Sequence, residues 1–179
     1  MQTPTAFEPS SRPPRRADRF ALRFWSIKNA RLMERTYNAV ERVLVRLVPH
    51  LDWLFGRRAD APVTVVEKAV KGALFDCKMC GQCILSSTGM SCPMNCPKGL
   101  RNGPCGGVRA NGNCEVYADM PCVWVKAWDG SQRMAEVGSI RAVQPPVDHR
   151  LKGTSSWLRV ARDKASARAS TVAGGSAKP

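Results

Sequence analysis

Eight cysteines fall between Cys77 and Cys122 and nowhere else in a chain of 179 residues. Their order is Cys77-x2-Cys80-x2-Cys83-x8-Cys92-x3-Cys96-Pro97-x7-Cys105-x8-Cys114-x7-Cys122. The opening C-x2-C-x2-C is the informative part. Three thiolates so spaced, in a loop that curls around its own centre, can grip three irons of a cubane, and the fourth ligand then comes from elsewhere. The remote ligand of bacterial ferredoxins is often followed by proline, and both Cys92-Pro93 and Cys96-Pro97 have that form. Eight thiolates suit two 4Fe-4S clusters, or one with one zinc. Structural zinc usually takes two separated C-x2-C pairs, a spacing found here only in the first segment, and zinc alone remains the alternative. Cysteine order does not say which thiols share a site.

The surrounding residues agree with a metal cage. Gly81, Gly89, Gly99, Gly103, Gly106, Gly107 and Gly112 crowd the segment, and glycine lets backbone wrap closely and turn amides toward sulfur. Apolar residues between Cys77 and Cys114 are too few to bury a core, so metal should supply much of the folding free energy there. Lys78, Lys98, Arg101 and Arg109 lie between the ligands. They either offset a cluster's negative charge or simply face water. Other chemistry is thin. His50 and His149 stand outside the cysteine window, Asp76 is a lone carboxylate, and no phosphate loop, catalytic triad or carboxylate pair occurs.

The elements that must position this segment are expected to be helical. The fold class is mainly α, with an irregular cysteine-rich metal-cluster domain, little β structure and disordered termini. Residues 1–17 read as a polar, proline-broken, disordered basic arm. Residues 18–58 read as an amphipathic helical segment, with Met33, Tyr37, Val40, Leu44, Leu47, Leu51 and Leu54 alternately four and three apart on one stripe. Pro49 should end or kink that helix near Val48. The stripe fits docking to a partner, packing on the chain's own cysteine domain or, least favoured, contact with a membrane surface. Residues 62–74 read as a short helix or strand leading into the cysteine domain of residues 72–129. Trp124 and Trp128 are one helical turn apart and should share a face, against the core or toward a partner. Residues 141–179 thin out into a largely flexible basic tail, most plainly from about Ala161.

Net charge is +14, which suggests an acidic partner or basic tails. The basic residues are scattered and no nucleic-acid-binding fold is recognisable, so nucleic acid is not expected. No apolar run could span a membrane. Arg15-Arg16 resembles a twin-arginine signal, but Arg23 and Lys28 interrupt the apolar run such a signal needs. A cytoplasmic location is therefore expected, where thiols stay reduced and clustered cysteines read as metal ligands.

The string CKMCGQCILSSTGMSCPMNCPKGLRNGPCGGV, followed by GNCEVYADMPCVW, resembles the methylenetetrahydrofolate reductase C-terminal domain family. That likeness covers roughly Gly72 to Trp128. It implies a cysteine-rich accessory subunit in one-carbon metabolism, beside a flavin-dependent catalytic subunit that reduces methylene-tetrahydrofolate. FMN or FAD is then expected only in that partner. The positions carried over are Cys77, Cys80, Cys83, Cys92, Cys96, Cys105, Cys114 and Cys122, as ligands of one or two iron–sulfur clusters. No flavin barrel is present, so the chain is not expected to be catalytic alone. Two roles follow: an electron-transfer subunit of a heteromeric oxidoreductase, or a zinc- or cluster-stiffened docking module through which no electron passes.

Overall fold

A computed structural model describes residues 21–174. Five α-helices frame an irregular segment: α1 (Ala21–Lys28), α2 (Ala30–Phe55), α3 (Asp60–Phe75), α4 (Val123–Ser131) and α5 (Ser156–Gly174). Short 3-10 turns lie at Gly56–Ala59, Pro93–Asn95, Val137–Arg141 and His149–Leu151. Among the described residues, β structure is limited to two isolated antiparallel bridges, Val108 with Cys114 and Asn113 with Pro121. The chain is mainly helical with an irregular cysteine-rich region, as its composition predicts. The arm expected over residues 1–17 lies outside the described residues.

The stripe on α2 divides. Val45 and Val48 are buried against Leu158 and Ala161 of α5, and Tyr37, Leu44 and Leu51 are half-buried. Val40, Leu47 and Leu54 are exposed. The apolar face is thus wider than the surface covering it.

Two sequence readings are corrected. Of the end or kink expected near Val48, the end is not found: α2 runs on to Phe55, with Pro49 inside it. Proline removes one helical hydrogen bond and crowds the preceding turn. Here Val45 and Val48 are packed before it, and Asp52, one turn after it, accepts from Arg162 Nε at 2.8 Å and Nη2 at 2.6 Å. Tertiary contacts on both sides hold the helix through the defect. The tail expected from Ala161 is likewise helical to Gly174. Its first turns bury Leu158 and Ala161. Arg162 forks between Asp52 and Asp60, and Lys164 pairs with Glu41 on α2.

Residues 62–74 belong to α3, whose packing inverts the usual pattern. Its buried positions are Glu67, Lys71 and Phe75, while Val65, Val66 and Val70 are exposed. The helix closes on Asp76 in the left-handed region, φ 50°. There Asp76 N–H donates to the Gly72 carbonyl at 3.1 Å and Cys77 N–H to that of Lys71 at 3.2 Å, a Schellman-type end. α4 docks on the cysteine segment through Gly89 and Gly130, whose backbones approach so closely that a Cβ on either would clash with the other. No described helix is long and apolar enough to cross a membrane.

Candidate metal centre

The end of α3 delivers the chain directly into Cys77. From there the backbone turns through Cys80 and Cys83, using left-handed Met79 (φ 49°) and Gly81 (φ 74°). It returns to Cys92 after a turned segment in which Thr88 Oγ1 donates to the Ile84 carbonyl at 3.0 Å. Cys77, Cys80, Cys83 and Cys92 line one pocket. Met79 N–H donates to Cys77 Sγ at 3.3 Å, a backbone-to-sulfur bond of the kind that supports a thiolate.

The turn is tethered from distant parts of the chain. Gly153 N–H donates to the Met79 carbonyl at 2.8 Å. Arg159 Nε of α5 donates to the Gly81 carbonyl at 3.0 Å, and Arg101 Nη2 to that of Gln82 at 3.0 Å. The Gln82 side chain accepts from Asp148 N–H at 2.7 Å. Thr154 and Ser156 complete the pocket wall.

Two cations share that wall, Lys71 and Arg101. Lys71 Nζ lies 2.6 Å from Glu67 Oε1 and 2.7 Å from Ser156 Oγ, and 5.1 Å from the centroid of the Trp157 ring. Glu67 also accepts from Ser155, from Ser156 Oγ at 2.6 Å and from Trp157 N–H at 3.3 Å. Lys71 and Glu67 are 2% and 1% exposed, and such charges persist in the interior only when paired and bonded. Burial pulls Lys71 down, but nearby Cys83 and then Glu67 outweigh it and hold its ammonium above its ordinary value. Burial pushes Glu67 up, yet Lys71 and the two serines outweigh that and hold it below the usual carboxylate range.

The thiols behave differently. Burial pushes Cys92 up to about 12, with neighbouring Cys77 adding to it. Burial raises Cys77 as well. Both are therefore thiols at neutral pH. Metal ligation releases such protons. Among the described residues no three histidine, cysteine, aspartate or glutamate side chains converge closely enough to hold a single metal ion. A tetrahedral zinc with its ordinary bond length needs sulfurs about 3.8 Å apart. Four thiols, the Lys71–Glu67 pair and the Arg101 guanidinium line this one pocket, a donor set with the chemistry of a thiolate-held cluster.

The remaining cysteines stand outside this pocket. Half-buried Cys96 follows the Pro93–Asn95 turn. Cys105 is exposed, beside Glu115. Cys114 and Cys122 are buried in the small looped region held by Cys114 N–H to Met120 O at 2.8 Å and Cys122 N–H to Gly112 O at 3.0 Å. Of the two cysteine–proline steps, the one at Cys92 faces the first three thiols. His50 and His149 are exposed. Trp124 and Trp128 part company: Trp124 is buried and its Nε1–H donates to the Leu100 carbonyl at 3.0 Å, while Trp128 is 48% exposed.

Sequence reasoning named Arg101 but missed Glu67 and Lys71. Their signal was available: Glu67, Lys71 and Phe75 lie four apart and share one face of α3, so that any contact made by Phe75 also takes in the charges.

The family described as methylene-tetrahydrofolate reductase C terminal matches residues 57–150, more than half of the chain. This protein belongs to that family. The matched span reaches further than the cysteine string, taking in α3 and running to the start of the 149–151 turn. α1, α2 and α5 lie beyond it. No curated protein and no solved structure matches the chain.

Proposed function

We propose that this chain is an iron–sulfur accessory subunit of a methylenetetrahydrofolate reductase complex, serving a flavin-bearing catalytic partner. The family supports the link to the reductase. The observation that carries the iron–sulfur reading is the pocket itself, in which Cys77, Cys80, Cys83 and Cys92 face Lys71 and Arg101. When bound there, a 4Fe-4S cluster supplies one-electron transfer. The chain's own part is to present four thiolates, compensate negative charge with two buried cations and wall the site with the 153–156 segment. Cys96, Cys105, Cys114 and Cys122 are the candidates for a second cluster or a zinc. The exposed valines of α3 and the open half of the α2 stripe are the surfaces this reading gives to the catalytic subunit.

The test is iron and acid-labile sulfide content of protein purified without oxygen, for wild type, Cys92→Ser and Cys96→Ser. The pocket accounts for about four irons and four sulfides per chain. Cys92→Ser loses that complement, and Cys96→Ser keeps it. A colourless protein holding only zinc refutes the reading. A Cys92→Ser protein that keeps the full wild-type iron and sulfide refutes the choice of Cys92 as fourth ligand.

A further inference from the structure

Arg101 is 4% exposed and lines the cysteine pocket. Its guanidinium is fixed on two sides, with Nη1 donating to the Pro145 carbonyl and Nη2 to that of Gln82. Its Nε–H is buried with no acceptor among the described residues. The pocket's carboxylate, Glu67, is already engaged by Lys71, Ser155 and Ser156, and no carboxylate pairs with Arg101 among the described residues. A buried charged donor without an acceptor opposes folding. Two carbonyls prevent this one from swinging out to find water. An anionic acceptor inside the pocket would complete it, and the anionic chemistry that four cysteines bring there is sulfur: thiolate and sulfide.

We propose that Arg101 is a positioning residue of the cluster site, whose Nε–H donates to a ligating thiolate or an inorganic sulfide of the bound cluster. This rests on the cluster reading above and deepens it. A hydrogen bond to cluster sulfur and a fixed positive charge both favour the reduced, more negative form. Arg101 therefore raises the reduction potential and lowers the rate of cluster loss. Lys71 adds charge on the same wall but is spent on Glu67 and Ser156, which leaves Arg101 as the directed donor.

The full chain is loaded with ferrous iron and sulfide under anaerobic conditions and reduced stepwise with dithionite, with the reduced cluster read by electron paramagnetic resonance. Arg101→Gln removes the charge and the Nε–H; Arg101→Lys restores the charge alone. The expected result is a lower midpoint in Arg101→Gln, by about tenfold in the reduced-to-oxidised ratio or 59 mV for one electron, with partial recovery in Arg101→Lys. A loaded Arg101→Gln protein with the wild-type midpoint overturns the proposal. Because Arg101 also holds Gln82 and Pro145, its variants can fail to fold. Wild-type protein grown on 15N-labelled arginine provides the second measurement: a nitrogen-15 coupling in the pulsed spectrum of the reduced cluster is expected, and its absence overturns the proposal. Wild type that takes up no iron and sulfide overturns the cluster reading and this inference together. Wild type that loads but shows neither coupling nor shift overturns this inference alone.

Discussion

Lys71→Met is the most informative change to the framework. Methionine keeps the length and the apolar stem but removes the ammonium. Glu67, 1% exposed, then retains Ser155, Ser156 and the Trp157 amide as donors but loses its counter-ion. Removing one member of a buried pair costs about 3–5 kcal/mol, and with both side chains at 2% exposure or less water screens little of it. The three remaining donors place the loss near the lower end, about 3 kcal/mol. A domain of ordinary size is stable by about 5–15 kcal/mol, so the loss is a substantial share. Urea unfolding followed by far-ultraviolet circular dichroism, at matched metal loading, measures it. Adding Glu67→Gln to Lys71→Met removes the stranded charge and should recover at least about 1 kcal/mol. A Lys71→Met protein within about 1 kcal/mol of wild type, or a double variant weaker than the single one, refutes the buried-pair account.

Leu158→Ala should cost about 2–5 kcal/mol, since Leu158 is 3% exposed against Val45 and Val48; the same urea titration reads it, and an unchanged midpoint means α5 is not docked. Acidification should weaken the α2–α5 junction. Hydrogen bonds from Arg162 hold the Asp52 carboxyl below its ordinary value, so its contribution is complete above the unfolded carboxylate pKa of about 3.9 and is lost as pH falls through the lower folded value. With side-chain exposures of 33% and 25%, that contribution is no more than about 1 kcal/mol after screening. Asp52→Asn should flatten the acid limb of stability against pH by this amount, and an unaltered limb counts against the ion pair.

The helical class and the cysteine spacing were legible because both are short-range properties. Period sets the α2 stripe, and two-residue intervals set the curl through Cys77, Cys80 and Cys83. What escaped depends on partners remote in sequence. α5 carries the charges and small residues of a solvated tail, and only Asp52, Asp60 and Glu41 on other elements turn Arg162 and Lys164 into anchors. Pro49 stops an isolated helix but not one packed on both sides of it. That Cys92 lines the pocket with the first three thiols while Cys96, across the Pro93–Asn95 turn, does not is a tertiary fact that spacing alone cannot show. Glu67 and Lys71 escaped because burying a charged face of α3 while its valines stay exposed depends on Ser155, Ser156 and Trp157, far along the chain.

The tethers on the Met79–Gln82 turn have a consequence for the order of events during synthesis. Cys92 leaves the ribosome long before Gly153 and Arg159, whose bonds to Met79 and Gly81 shut the turn down. In that interval the thiols of the turn stand open to solvent, and docking of the last helix is the door that closes on them. A nascent chain stalled before Gly153 should accordingly show Cys77 and Cys80 reacting faster with a thiol label than the finished protein does, and equal rates would mean the door does not exist.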